Sequence, residues 1–298
     1  MNYTIHQLQI FLKVVQKQSI TKASEELFMT QPAVSIQLKN FQDQFDISLY
    51  EIIGRKLHIT DFGKEIALIA ERVIEELNTI NYKTEAYKGM LTGKLKISSA
   101  STGKYVIPFF LEEFLSNNAG IDLVLDVTNK TKVVQSLKNN EIDFALVSVV
   151  PDLLDVEEEL LIDNKLYLIS SEPQPNEQMP LIYREEGSAT RSAMEHYYGT
   201  HNSKARKRLE LTSNEAVKQA VIAGLGNSIM PLIGIKNELI EKQLYILPIE
   251  DLPVTTKWRL IWLKGKRMSP VAKAYLDFIQ LKKNEILEEK FKWYQEYK

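Results

Sequence analysis

The sequence predicts a multidomain chain: an N-terminal winged helix-turn-helix, one long helix, and a C-terminal α/β region built as two lobes. Three observations predict it. Val34, Leu38 and Phe41 recur at i, i+4 and i+7, an apolar stripe on a short helix whose other face carries amides and hydroxyls. Between Asp61 and Tyr87 an apolar residue returns every seven positions. Beyond Lys94, strand-like and helix-like segments alternate, and the pattern restarts after Pro173 and Pro175, as parallel α/β sheets require.

Composition bounds the reading. The chain has 298 residues, enough for about two or three domains. Its net charge of -2 supplies no global attraction to nucleic acid, so a DNA-binding reading rests on local residues. It has no cysteine, which excludes disulfides, thiolate metal sites and cysteine nucleophiles and fits a reducing compartment. The opening MNYTIHQLQIFLKVV is too short and too interrupted for a signal peptide or a membrane span. A cytoplasmic protein with no membrane partner is expected.

Ile5, Leu8, Leu12 and Val15, with Phe11 beside them, predict a first amphipathic helix. Ser19 suits the N-cap of a second helix through Leu27, with Ala23 small for close packing. Phe28 and Met29 make a short turn. Thr30 then caps a third helix, and Pro32 lies in its first turn, where the missing N–H costs nothing. Gln31, Ser35, Gln37, Lys39 and Asn40 fall off the apolar stripe. Amide side chains pair bidentately with adenine in the major groove, so this is a recognition-helix pattern. In SLYEIIGRKLHIT, Gly54 permits a tight turn and Leu57 and Ile59 alternate with Lys56 and His58, which predicts a hairpin wing placing Arg55 and Lys56 near phosphates. Six cations against five carboxylates leave this domain one net positive charge, so DNA binding should depend on dimerisation.

Ile66, Val73, Ile80 and Tyr87 form the heptad of the long helix, with Ile69 and Leu77 filling the seam. Such a helix needs a partner helix, or else belongs to the core of the next domain. Beyond it, β-α-β-α-β runs from Leu95 to IDFALVSVV, and LIYRE, LELT, NSIMP, LYILPI and TKWRLIWL supply further strands, the last long enough to return to the first lobe. The Trp258 and Trp262 spacing is that of one buried strand face. A helix from Ser269 through Leu281 continues into a charged tail, expected as a helical extension.

Several polar groups follow predicted strand ends. Ser99, Ser101 and Thr102 lie after the first strand, where hydroxyls and a helix start suit an anion or simply cap the helix. Thr128 and Asn129 end the second strand, as cleft groups or as turn residues. In REEGSATR, Gly187 opens the backbone, Ser188 and Thr190 offer hydroxyls, and Arg191 either pairs an anion or forms an ion pair with Glu185 or Glu195. His6, His58, His196 and His201 show no metal or triad spacing, and no cofactor is expected.

Leu8, Phe11, Val15, Ser19, Thr21, Ala23, Leu27, the run Thr30 to Ser35, Gln37, Leu49-Tyr50-Glu51, Gly54-Arg55, Thr60 and Gly63 resemble the N-terminal signature of LysR-type transcriptional regulators. Ile36 and Ile52 depart from it, standing where many relatives carry arginine, as do Ser24 and Phe41-Gln42. REEGSATR and SNEAVKQAVIAGLG further resemble the branch that regulates carbon-fixation (RuBisCO) operons. The resemblance implies a DNA-binding domain over 1–60, a dimerising linker helix over 61–90, and a periplasmic-binding-protein-like effector domain over 91–298. It implies promoter DNA contacts from Thr30, Gln31, Pro32, Ala33, Ser35, Gln37, Arg55 and Lys56. It further implies a small anionic metabolite bound between the lobes by Ser99, Ala100, Ser101, Thr102, Thr128, Asn129, Gly187, Ser188, Thr190, Arg191 and Asn214. A homodimer extending to a homotetramer and contact with RNA polymerase also follow from it. The alternative is a solute-binding or enzyme module with an accessory N-terminal domain. The lack of a signal peptide and of an acid/base or nucleophile motif disfavours it.

Overall fold

The computed structural model describes residues 3–54, 56–87, 90–151, 153–200 and 206–297, with no side-chain description for residues 78, 81 and 83–87. It divides into two compact units, Met1–Met90 and Leu91–Lys298.

In the first unit, α1 (Ile5–Lys17), α2 (Ile20–Glu26) and α3 (Gln31–Gln42) precede a hairpin of β1 (Tyr50–Ile53) and β2 (Lys56–Ile59), and α4 (Asp61–Tyr87) follows. Each of the three short helices starts on a side-chain cap: Thr4 accepts from Gln7 N, Ser19 from Lys22 N, and Thr30 from Ala33 N. Their apolar stripes meet in one core of Leu8, Phe11, Val14, Ala23, Val34, Leu38 and Phe41. The antiparallel hairpin pairs Ile53 with Lys56 across its turn, and Gly54 there has φ +55°. Gly63 is required for a different reason. A Cβ there would lie 2.0 Å from Leu49 O, so α4 enters against the strand only with glycine.

Helix α4 divides the predicted seam. Ile66 is half-buried and packs with Ala67, Ala70 and Ile74 against the first unit's own core. Ile69, Val73 and Ile80 are 50%, 40% and 61% exposed, and with Leu77, Arg72 and Glu76 they line one open groove. The side chain of Tyr87 lies outside the described residues.

The second unit runs β3 (Gly93–Ala100), a 3-10 turn (Ser101–Tyr105), α5 (Ile107–Asn117), β4 (Ile121–Thr128), α6 (Lys130–Lys138), β5 (Phe144–Val147) and β6 (Val156–Ser170). It continues through β7 (Leu181–Arg184), α7 (Ala189–Thr200), β8 (Arg208–Leu211), α8 (Asn214–Ile222), β9 (Ser228–Pro231), α9 (Lys236–Ile240), β10 (Tyr245–Ile246), β11 (Val254–Leu263) and α10 (Pro270–Lys290). Among the described residues the main sheet has seven strands in the order β10-β6-β11-β5-β3-β4, with β9 also on β6. Strands β3, β4 and β5 are parallel, β11 runs antiparallel to β5, and β6 runs antiparallel to β11. Both long strands cross between lobes. The first part of β6 pairs with β11, and its end pairs with β9 and β10 in the second lobe, beside the parallel pair β7-β8.

Strand β6 has no counterpart among the sequence-predicted strands. Its acidic run is neutralised from far along the chain: Trp262 Nε1 donates to Glu157 at 2.7 Å, Arg259 pairs with Glu158, and Lys283 with Glu159. The charged tail continues the last helix, as expected, since α10 runs to Lys290 and a 3-10 turn spans Lys292–Glu296. Ile286, Phe291 and Tyr294 are buried in the first-lobe core with Trp258 and Trp262. Among the described residues no helix is long and apolar enough to cross a membrane.

Candidate functional site

The turn between α2 and α3 exposes the predicted recognition face. Thr30, Gln31 and Pro32 are exposed, while Ala33, Ser35 and Gln37 are half-buried beside exposed Lys39 and Asn40. Lys13 and Lys17 both pair with Glu26, holding its carboxyl below the usual range and leaving Lys22, Lys39 and Lys56 as outward cations. Arg55 lies outside the described residues. Two side chains enlarge the face beyond the sequence reading. Phe28 is 97% exposed at φ +52°, a costly conformation for a bulky residue, and Ile36 is 58% exposed on α3.

In the second unit the cleft between the lobes centres on Ser101. Neither Ser101 nor Thr102 caps a helix: the 3-10 turn they begin has no side-chain cap, and α5 starts six residues later without one. The Ser101 hydroxyl instead accepts from Asn214 Nδ2 at 2.9 Å and from Arg184 Nη1 at 3.3 Å, both from the opposite lobe. Asn214 opens α8 behind its cap Ser213 and is 2% exposed, with its Oδ1 left without a partner. Arg184 ends β7 and is 3% exposed. Its Nε and Nη2 both donate to the Glu185 carboxylate, at 2.7 and 2.8 Å.

The other predicted residues fall into two groups. Gly187 lies in the cleft with φ +80°, and a Cβ there would approach Thr131 Oγ1 of the first lobe to 2.7 Å. Ala100, Thr102, Ser188 and Thr190 are buried, and Thr128 is half-buried at the end of β4. Asn129 is the N-cap of α6, accepting from Lys132 N at 3.0 Å. Two residues have partners outside the cleft. Ser99 is fully buried and donates to Ala100 O, and a Cβ on Gly103 would meet its hydroxyl at 2.2 Å, so it fills the lobe interior. Arg191 is bound by Glu195 at 2.8 Å and Glu210 at 2.7 Å, with Nη1 also donating to Arg184 O. The cleft guanidinium is therefore Arg184, and Arg191 braces its backbone. A cation closing a buried strand, LIYR, at the carboxyl end where parallel sheets bind ligands, was the available signal.

Lys218, on α8, is 8% exposed and held by two carboxylates. Burial lowers its pKa, but pairs with Glu238 at 2.6 Å and Glu215 at 3.1 Å outweigh that and hold it above its ordinary value.

Known families match both units. The model for a bacterial regulatory helix-turn-helix protein of the lysR family matches residues 5–64, and that for a LysR substrate binding domain matches residues 88–282. The chain belongs to the LysR family of transcriptional regulators. Its LysR relatives include the RuBisCO operon transcriptional regulator of Allochromatium vinosum, 36% identical over 94% of this chain and 96% of the relative. The HTH-type transcriptional activator CmpR of Synechocystis sp. is 35% identical over 93% of this chain and 95% of its own. Among solved structures, the regulatory domain of Synechocystis PCC6803 CcmR in complex with 2-PG aligns at TM-score 0.59 and 33% identity, covering 64% of this chain and 97% of that one. Full-length CbnR complexed with its target DNA aligns at TM-score 0.70 and 18% identity, covering 93% and 99%, which shows the shared LysR fold. This LysR chain is thus a DNA-binding transcription regulator with an effector-binding domain, in a family of regulators rather than enzymes.

Proposed function

We propose that residues 1–60 bind promoter DNA, that the helix of residues 61–90 links two copies, and that residues 91–298 bind a small anion between the lobes. The observation that carries the effector reading is Ser101, held at one point by Arg184 and Asn214 of the opposite lobe. A buried guanidinium, an amide and hydroxyls converge there beside the start of α8, a set of donors suited to phosphate or carboxylate oxygens. The likeness to the CcmR domain solved with 2-PG supports a ligand of that class, such as 2-phosphoglycolate. A ligand touching both lobes favours one interlobe geometry, and that difference in affinity drives the switch.

Thr30, Gln31, Pro32, Ala33, Ser35 and Gln37 meet bases and backbone in the major groove, with Phe28 beside them and Arg55 and Lys56 on phosphates. Two copies pair through Ile69, Val73, Leu77 and Ile80, and a further effector-domain contact makes the tetramer. The regulator works in the cytoplasm, where promoter DNA and RNA polymerase are met. Thermal shift with 2-phosphoglycolate, followed by footprinting on DNA upstream of its own gene, tests the reading. A melting shift in wild type that is lost in both Ser101→Ala and Arg184→Gln supports it. A shift unchanged in both variants refutes the cleft, and binding without any change in footprint refutes the switch.

A further inference from the structure

The second lobe holds a cavity of about 230 Å³, lined among others by Leu168, Tyr197, Tyr198, Arg206 and Asn227. None of its lining residues belongs to the interlobe cleft. Three polar atoms on its walls are buried without a hydrogen-bond partner: the Tyr198 hydroxyl, Arg206 Nε and Asn227 Oδ1. The fold holds them in place. Asn227 is 1% exposed, its N–H donates to Pro180 O and its carbonyl accepts from Ile182 N. Tyr198 stands edge-on to Tyr197, whose own hydroxyl donates to Glu250 O at 2.9 Å. A single buried polar group without a partner is destabilising. Three on one cavity, comprising a cationic donor, a hydroxyl and an acceptor, mark a recognition surface.

We propose that this cavity is a second ligand site, separate from the interlobe cleft, for a small carboxylate that carries a hydroxyl group. Arg206 and Tyr198 take the carboxylate, since a guanidinium fork matches its two oxygens. Burial pushes the Tyr198 phenol up to about 12, so at neutral pH it donates a proton and carries no charge. Asn227 Oδ1 accepts from the ligand hydroxyl. Leu168, Leu247 and Ile249 receive a short apolar body. The volume exceeds the roughly 150 Å³ that admits benzene, so a body of about six to ten non-hydrogen atoms fits.

The full-length protein is titrated with 3-hydroxybutyrate and with the bulkier 2-hydroxyisocaproate, with their neutral amides as controls, read by saturation-transfer NMR. At least one acid binds wild type about tenfold more tightly than its amide. Tyr198→Phe and Arg206→Gln each weaken it about tenfold, while Ser101→Ala leaves it unchanged. Neither side-chain change removes a hydrogen bond among the described residues, so both variants keep the wild-type melting curve and band shift. The proposal is overturned if neither acid binds at millimolar concentration, if the amides bind equally, if both cavity variants retain affinity, or if Ser101→Ala removes it.

Discussion

Ser101 Oγ and Asn214 Nδ2 lie 2.9 Å apart, one on the first turn after β3 and the other on the first residue of α8 in the opposite lobe. This contact makes the two lobes share a hydroxyl at the mouth of a helix. With Arg184 on the same oxygen, it concentrates donors where an anion would touch both lobes. Ser101→Ala is expected to weaken anion binding by about 1–2 kcal/mol, or roughly 5- to 30-fold. Calorimetry on both forms checks it.

The two arginines of REEGSATR separate by role. Arg184→Gln is expected to abolish the anion response, because it removes the buried cleft guanidinium. Arg191→Gln breaks partly exposed pairs with Glu195 and Glu210, and should cost about 0–1 kcal/mol of stability with a response that persists. Equal losses of response in both variants would contradict this division.

Glu185 already occupies two donors of Arg184, so an incoming anion competes with it. Removing its charge in Glu185→Gln should tighten anion binding about tenfold, or roughly 1.4 kcal/mol. The gain should appear as a lower dissociation constant in titration calorimetry and disappear when Arg184 is also replaced.

On α4 the two faces give opposite outcomes. Ile80→Asp places a charge on the exposed stripe and should shift the protein from dimer toward monomer in light scattering at micromolar concentration. Ile66→Ala instead removes packing from the first unit's core and should cost that unit about 1–3 kcal/mol, with dimerisation retained.

For DNA, Gln37→Ala should lower discrimination at particular bases by about 1–3 kcal/mol, measured by competition among operator variants. Lys56→Ala should weaken every sequence alike and reduce the slope of log affinity against log salt by about 1. Indistinguishable effects on specificity would remove the assignment of base reading to α3.

Much of the architecture was legible in local sequence because local physics writes it. Ser19, Thr30, Asn129, Ser213 and Ser269 each cap the helix they precede, and such caps need only residues three positions away. The stripe Val34, Leu38, Phe41 and the alternation in β11 are likewise set by the period of the backbone, so both units and their family signature could be read from the chain alone.

Tertiary structure alone decided where charged and polar side chains point. Strand β6 hides its acidic run against Trp262, Arg259 and Lys283, partners more than a hundred positions away, so its pattern did not look like a buried strand. Arg191 is claimed by Glu210 from β8, and that claim leaves Arg184 for the cleft. Ser99 turns inward and Ser101 across the lobes because Gly103 lets the 3-10 turn close over Ser99. Ile66 faces the first unit's core because α4 folds back on α1, whereas Ile69, Val73 and Ile80 stay open. A side chain's partner is fixed by which elements the fold brings within about 3 Å, and spacing along the chain does not encode that distance.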